Sequence, residues 1–294
     1  MPKYKTLNEH YREKYGCKVY KLSLDAGFTC PNRDGTCGDK GCIFCGSSGG
    51  GEFAEQFDGN ILNQLEKAKE RVLNKVKDGK FIAYFQAFTN TYSDIKTLER
   101  LYMQAISPDY IVGLSIATRP DCLGMQTVEL LEKINKLKPV SIELGLQTTN
   151  EETARYIRRG YKTSVYFDAV KRLKTAGIEV VTHIIIGLPY EREEDIYKTV
   201  SDAVNAGTDG VKFHLLHVLK NTDLAIEYEN GKFECLSLEN YAKILCNCIK
   251  LLPKNTVVHR ITGDGDKKIL IAPLWSADKK KVLNYLNAYL NKNL

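Results

Sequence analysis

The chain of 294 residues has no hydrophobic run that suits a membrane: its longest apolar stretches, such as residues 184–188, fall far short of the roughly 20 residues a bilayer span requires. Residues 1–8 lack the apolar region of a signal peptide, so the chain reads as cytoplasmic and without a membrane partner. No Pro- or Ser-rich linker interrupts it, and no repeat of fixed period is present. A hydrophobic content of 43% excludes a disordered chain, and the length excludes a small disulfide-stapled scaffold. Two ordinary domains, or one barrel of roughly 250 residues with extensions, remain open on length alone.

Acidic charge is the scarcer sign, with 36 Asp and Glu against 42 Lys and Arg, a net of +6. The imbalance sits at the ends. Residues 1–24 carry Lys3, Lys5, Arg12, Lys14, Lys18 and Lys21 against Glu9 and Glu13, a net of +4, and residues 278–294 carry a net of +3 from Lys279, Lys280, Lys281 and Lys292 against Asp278. The middle of the chain is nearly neutral. Tyr4, Tyr11, Tyr15 and Tyr20 are interleaved with the N-terminal bases, a pattern that suits stacked bases and phosphates and points to a nucleic-acid partner, although a solvated basic face would read the same way.

The chain alternates short β-branched or aromatic runs with longer amphipathic stretches. Strands are expected at 19–24, 81–85, 110–116, 140–146, 179–186 and 210–216. Between them helical stripes run through Ile61, Leu65, Ala68, Val72 and Val76, then Leu98, Leu101, Tyr102 and Ala105. Further stripes take in Val128, Leu131 and Ile134, then Val165, Ala169, Val170 and Leu173, and finally Ile196, Val200, Ala203 and Val204. Gly79, Gly177 and Gly207 stand where left-handed residues would close three of these helices. Six strands and five helices in alternation argue an α/β fold with a parallel sheet. After residue 217 the alternation ends, and a helix at 238–251, a strand at 256–260 and a helix at 279–291 form a C-terminal α+β extension. The organisation expected is a basic arm at 1–17, a barrel at 18–217 and the extension at 218–294.

Parallel α/β sheets bind ligands beyond the carboxyl ends of their strands, and the segments there are polar. The loop after the first strand holds Cys30, Cys37, Cys42 and Cys45, four of the nine cysteines within 16 residues of glycine-rich sequence. Clustered thiols in a reducing compartment point to metal. A structural zinc would take all four in a closed tetrahedron. An iron–sulfur cluster could take three and leave one iron open, which the loop's place at the ligand-binding end favours, with Phe44 to shield it.

The Cys-x-aromatic-Cys ending of this loop, followed by alternating strands and helices, resembles the radical S-adenosylmethionine (radical SAM) superfamily. Asp25-Ala-Gly-Phe-Thr-Cys-Pro-Asn-Arg-Asp-Gly35 is similar to the bacterial YtqA/YhcC-type subgroup, as are Phe85-Gln-Ala-Phe-Thr-Asn-Thr-Tyr92, Glu143-Leu-Gly-Leu-Gln147, His183-Ile-Ile-Ile-Gly-Leu-Pro189 and Ala272-Pro-Leu-Trp-Ser276. The resemblance runs from about Tyr4 to Trp275. It implies a partial (β/α)6 TIM-like barrel and a [4Fe-4S] cluster held by Cys30, Cys42 and Cys45 in a C-x11-C-x2-C spacing. Cys37 is then an uncoordinated loop thiol or a fourth ligand. S-adenosylmethionine on the open iron would be reductively cleaved to a 5′-deoxyadenosyl radical, with the electron from a donor such as flavodoxin or ferredoxin.

For cofactor contacts the resemblance points to Thr89, Asn90 and Thr91 near the methionyl amine, although this string departs from the usual glycine-rich segment. It also points to Glu143, Gln147 and Arg159 for the ribose and carboxylate, and to His183 for the nucleoside. Bland alternatives stand beside three of them: Glu143 as a satisfied interior carboxylate, Arg159 as a salt-bridged surface group and His183 as a packed strand histidine. His214 and His217 could face the substrate or form a metal pair lacking a third ligand. Cys17, Cys122, Cys235, Cys246 and Cys248 read as packed or inert thiols. The function implied is action on the 5-position side chain of tRNA wobble (2-thio)uridine, between the carboxymethylaminomethyl and methylaminomethyl forms. The alternatives are radical chemistry on a small molecule and a non-catalytic module stabilised by zinc or an iron–sulfur cluster.

Overall fold

The computed structural model describes residues 2–51, 54, 57–73, 76, 79–263 and 265–294. After helix α1 (Leu7–Tyr15) the alternation read from the sequence follows: β1 (Tyr20–Leu24), α2 (Ile61–Glu70), β2 (Phe81–Phe85), α3 (Ile95–Ile106), β3 (Ile111–Thr118), α4 (Met125–Asn135) and β4 (Val140–Gln147). Next come α5 (Glu151–Tyr156), α6 (Thr163–Thr175), β5 (Glu179–Ile186), α7 (Glu193–Asn205) and β6 (Gly210–Leu215). The remainder forms β7 (Val218–Leu219), α8 (Asp223–Glu229), α9 (Leu238–Lys250), β8 (Val257–Arg260), β9 (Leu270–Ala272) and α10 (Lys279–Asn293).

Local chemistry sets the helix ends. Asp94 accepts the Thr97 amide at the start of α3, Ser237 does the same for Asn240 at α9, and Gly177 and Gly207, both at positive φ, follow α6 and α7. The stripe expected through Val72 and Val76 breaks instead. Helix α2 stops at Glu70, and its continuation uses tighter i to i−3 bonds, Val72 N–H to Lys69 O and Val76 N–H to Leu73 O. A β-branched residue enters where the α ladder ends. Gly79 therefore lies in the connection to β2 rather than at a helix end, while residues 74, 75, 77 and 78 of that stretch lie outside the described residues.

Seven strands pair in parallel in the order β1-β2-β3-β4-β5-β6-β8. The sheet is curled. The Lys212 ammonium on β6 donates to the Tyr84 hydroxyl on β2 at 2.9 Å, whereas four strand spacings on a flat sheet would separate them by about 19 Å. The curl does not close: among the described residues β1 and β8 are the two end strands of the sheet and do not pair with each other. The result is a partial barrel with a seam. The arm at residues 5–6 lies along β8, with Val258 N–H donating to Lys5 O at 2.8 Å and Thr6 bridging Val258, which covers part of that edge. The strand expected at 256–260, within the C-terminal extension, is thus part of the barrel sheet.

The apolar core occupies the layer between the sheet's outer face and the helices, from Leu22, Phe81 and Ile142 outward to Leu98, Leu131, Tyr166 and Leu245. Helix α10 adds Leu286 and Leu290 to it. The alternation of β strands sends polar side chains to the inner face: Tyr84, Ser115, Glu143, His183, Lys212 and His214. The arm's tyrosines are used differently from the stacking role their interleaving suggests. Tyr11 is buried with Val19 and Ile82, and Tyr4 and Tyr20 pack against the main core. An aromatic ring beside a small sheet edge removes more apolar surface from water by packing there than by standing in solvent.

Candidate active site

The loop leaving β1 carries the thiols, and three separate anchors hold it. Asn32, 3% exposed, donates to Arg158 O at 2.5 Å and to the Cys42 sulfur at 3.5 Å. Arg33 donates to the Cys45 and Gly46 carbonyls at 3.0 and 2.6 Å and lies over the Phe88 ring. Ile43 is the third: its amide donates to Ile157 O, its carbonyl accepts from Leu224 of α8, and its side chain joins a second apolar cluster with Ile185, Leu216 and Leu224. The segment after the barrel strands thus supports the cysteine loop from above.

Cys30, Cys42 and Cys45 line one cavity of about 310 Å³ at the carboxyl ends of the strands. Cys37 is exposed and faces a separate surface pocket with Thr36, Tyr92 and Cys122. Burial pushes the Cys42 thiol up to about 12, with the neighbouring Cys45 and Cys30 adding to the shift and Arg119 opposing it. Arg119 is fixed by a two-pronged pair with Asp121 at 2.9 and 2.7 Å and by the Arg159 carbonyl at 2.8 Å. A fixed guanidinium near Cys30 and Cys42, and an amide aimed at one sulfur, are what soft thiolate ligands of a metal centre need around them. A cluster spreads its thiolates over separate iron atoms, and three thiols along one cavity wall, with an amide on one sulfur, suit a cluster bound by three thiols.

The other residues singled out in the sequence fall into two groups. Thr89 and Gln147 line the cavity, Gln147 at a positive φ of 68° where β4 slips register. Asn90 and Thr91 do not reach it. The Asn90 amide donates to Ala117 O at 2.9 Å, and the Thr91 hydroxyl binds Thr118 and the Cys122 carbonyl, so both tie the β2 loop to the end of β3. Arg159 touches the cavity wall but is 2% exposed, and all five of its N–H groups go to Leu146 O, Thr148 O, Tyr161 O and the Thr163 hydroxyl. It staples the β4–α6 connection and keeps no donor for a ligand.

Glu143 lies on the barrel floor with no exposed surface. Its carboxylate accepts from Lys21, Ser115, Tyr84, His183 and Lys212, the last three at 2.8, 2.7 and 2.8 Å. Burial works to raise its pKa, but Lys21, Lys212 and His183 hold it well below the usual carboxylate range. Five donors saturate the roughly four lone-pair sites of a carboxylate, so Glu143 is an interior hub with no acceptor left for a ribose. Burial and Lys212 keep His183 neutral, lowering it to about 4. Lys21, which the composition places among the N-terminal bases, in fact points into the barrel. Arg119, Lys21, Tyr84 and Lys212 were not among the residues singled out. The signal for Lys212 and Glu143 is a charge inside a central parallel strand, which otherwise reads as continuously apolar.

A sequence model described as the radical SAM superfamily matches residues 32–203, and one described as the Radical_SAM C-terminal domain matches residues 208–292. The chain is 43% identical over 288 residues to YtqA of Bacillus subtilis, covering 98% of this chain and 89% of that protein. It is 36% identical to YhcC of Escherichia coli, with 95% and 90% covered. A more distant likeness, 25% identity over 54% of this chain and 30% of the other, is to a tRNA uridine(34) acetyltransferase of Methanocaldococcus jannaschii. Among solved structures, the archaeal Elp3 of Methanocaldococcus infernus superposes with a TM-score of 0.71 at 18% identity, covering 93% of this chain and 63% of that one.

Proposed function

The chain belongs to the radical SAM superfamily, in its YtqA/YhcC-type subgroup, and from that premise we propose that it acts on the 5-position side chain of the tRNA wobble uridine, between the carboxymethylaminomethyl and methylaminomethyl forms. As an enzyme of this superfamily it uses a [4Fe-4S] cluster and S-adenosylmethionine, which together supply a one-electron cleavage that leads to hydrogen abstraction. The observation that carries the proposal is the single cavity in which three loop thiols face a polar barrel interior.

In this reading Cys30, Cys42 and Cys45 hold the cluster and Cys37 stays outside. Arg33 and Asn32 fix the loop, Arg119 offsets thiolate charge, and Phe44 covers the site from water. Thr89 and Gln147 are the wall residues placed to hold the cofactor, while Asn90, Thr91 and Arg159 keep that wall in shape. A flavodoxin- or ferredoxin-type donor supplies the electron. The tRNA substrate is supported by the likeness to a protein named for uridine 34 of tRNA, and by the meeting of the two basic ends. Lys18 and Lys279 line a second cavity at the seam between β1 and β8, and Arg260 forms a wall of both cavities.

Two measurements test this. Cys30→Ala, Cys42→Ala and Cys45→Ala should each abolish bound iron and sulfide after anaerobic purification, while Cys37→Ser should retain them; loss in Cys37→Ser would overturn the three-thiol assignment. Cells lacking the gene should accumulate a precursor nucleoside at the wobble position, and an unchanged nucleoside profile would sink the tRNA reading. The cavity's modest volume and the packing of the N-terminal tyrosines against the core favour a second reading, radical chemistry on a free small molecule. A metabolite that stimulates 5′-deoxyadenosine release in the absence of any tRNA binding would select it.

A further inference from the structure

The barrel floor holds more positive than negative charge. Two ammonium groups, Lys21 and Lys212, share the single carboxylate of Glu143, and every oxygen lone pair of that carboxylate is taken by the contacts described above. Lys212 lines the cavity and places two of its three N–H groups, one on Glu143 at 2.8 Å and one on the Tyr84 hydroxyl at 2.9 Å. Burial, followed by the neighbouring Lys21 and Arg260, lowers it to about 8. A buried cation in excess of its counter-ions is costly, and an incoming anion would relieve that cost.

His214 stands two residues farther along β6, on the same face, and also lines the cavity. Its Nε2 is buried and has no partner among the described residues, and its ring lies 4.9 Å from that of His183. Burial, with His183, Arg260 and Lys212 beside it, holds this imidazole neutral, so Nε2 can carry a proton and donate it in a hydrogen bond. Lys212 lies three residues before the end of β6, about 10 Å below the mouth where the cysteines sit.

We propose that Lys212 and His214 form a carboxylate subsite on the barrel floor, and that its occupant is the carboxylate of the substrate side chain. The ammonium supplies the charge, and the imidazole N–H fixes the second oxygen. This rests on the wobble-uridine reading for the identity of the occupant, but the subsite itself rests on the excess of buried positive charge. It would distinguish a carboxymethylaminomethyl group from its uncharged analogues and aim the adjoining C–H bonds up toward the cofactor cavity.

The test uses the full chain with its cluster loaded anaerobically. The probes are 5-carboxymethylaminomethyluridine, its carboxamide analogue and S-adenosylmethionine, with equilibrium binding measured for wild type, Lys212→Met and Lys212→Arg. The expected result is at least tenfold tighter binding of the carboxylate nucleoside than of the carboxamide. That preference should vanish in Lys212→Met and return in part in Lys212→Arg, with S-adenosylmethionine affinity within twofold throughout. Equal binding of the two nucleosides by wild type, or a preference that survives Lys212→Met, would overturn the subsite. A tenfold loss of S-adenosylmethionine affinity in Lys212→Met, with the nucleoside preference intact, would also overturn it, because the anion held would be the methionyl carboxylate. Should neither nucleoside bind, the wobble-uridine reading fails and sodium acetate decides the subsite. Acetate that raises the melting temperature of wild type but not of Lys212→Met keeps it, and acetate without effect removes it.

Discussion

Glu143 is asked to hold two ammonium groups, two hydroxyls and an imidazole with one carboxylate that water does not reach. Its neutral isostere should therefore be costly. We expect Glu143→Gln to lose about 3–5 kcal/mol in urea denaturation, because it leaves the buried Lys212 and the partly buried Lys21 uncompensated. Removing one of them as well, in Glu143→Gln/Lys21→Met, should recover part of that loss, and a double variant no more stable than the single would argue against the charge account. Arg159 makes a second residue-scale case. Lysine in its place keeps the charge but replaces five planar donors with three, so Arg159→Lys should lose about 2–4 kcal/mol by leaving buried carbonyls unpaired. Denaturation midpoints without any change would contradict it. Both residues could be singled out from sequence, but their partners could not, since Lys21 and Glu143 are 122 positions apart in the chain and meet only because the sheet curls.

At the scale of elements, the cysteine loop is shaped by close contact with the loop after β2. Gly49 has a φ of 58°, and a side chain at this position would collide with the Phe88 ring over which Arg33 packs. Gly49→Ala should displace that ring, loosen Arg33 from the Cys45 and Gly46 carbonyls, and lower the iron bound per chain. Global stability should change by no more than about 1 kcal/mol, because the loop lies outside the main core. Unaltered iron content would show that this packing does not shape the thiol loop. The strands were legible from β-branched runs and came out within a residue or two of their ends. The short α5 and α8, and the two-stranded pair of β7 with β9, were not, because segments of two to seven residues give too little periodicity to read. Yet α8 is one of the anchors of the cysteine loop.

For the molecule as a whole, acid is expected to destabilise in a defined window. His183 titrates near 4 in the folded chain and near 6.5 when unfolded, so below 6.5 the unfolded state binds the proton first. Stability should fall as the pH drops from about 6.5 to 4, by about 3 kcal/mol for this group if its burial holds. His214 and His259, whose pKa values burial lowers most, and Glu143, held ionised by its lysines, act in the same direction. Denaturation midpoints that stay level between pH 7 and 4 would show that these groups are solvated. If the basic ends contact RNA, tRNA affinity should fall steeply with salt, and reversing Lys279, Lys280 and Lys281 to Glu should weaken it without changing S-adenosylmethionine binding. Salt-insensitive binding would place the RNA elsewhere.

The sequence by itself determined the parallel α/β layout and the cysteine loop at the ligand-binding end, because each is written in local spacing: apolar period, strand length, and thiols with 11 and 2 residues between them; the family resemblance came from five short strings in order along the chain. Only the tertiary structure decided which polar residues face the cavity. It turned Lys21 from a surface base into an interior partner of Glu143, moved Asn90 and Thr91 off the cavity wall, committed Arg159 to carbonyls and a hydroxyl, and set Lys212, which shares the Glu143 carboxylate with Lys21, on the cavity wall with His214. The reason is geometric. A curled sheet brings inward-facing side chains from strands far apart in sequence to within a few ångströms, and a carboxylate's few lone pairs then settle which of them remain available to a ligand.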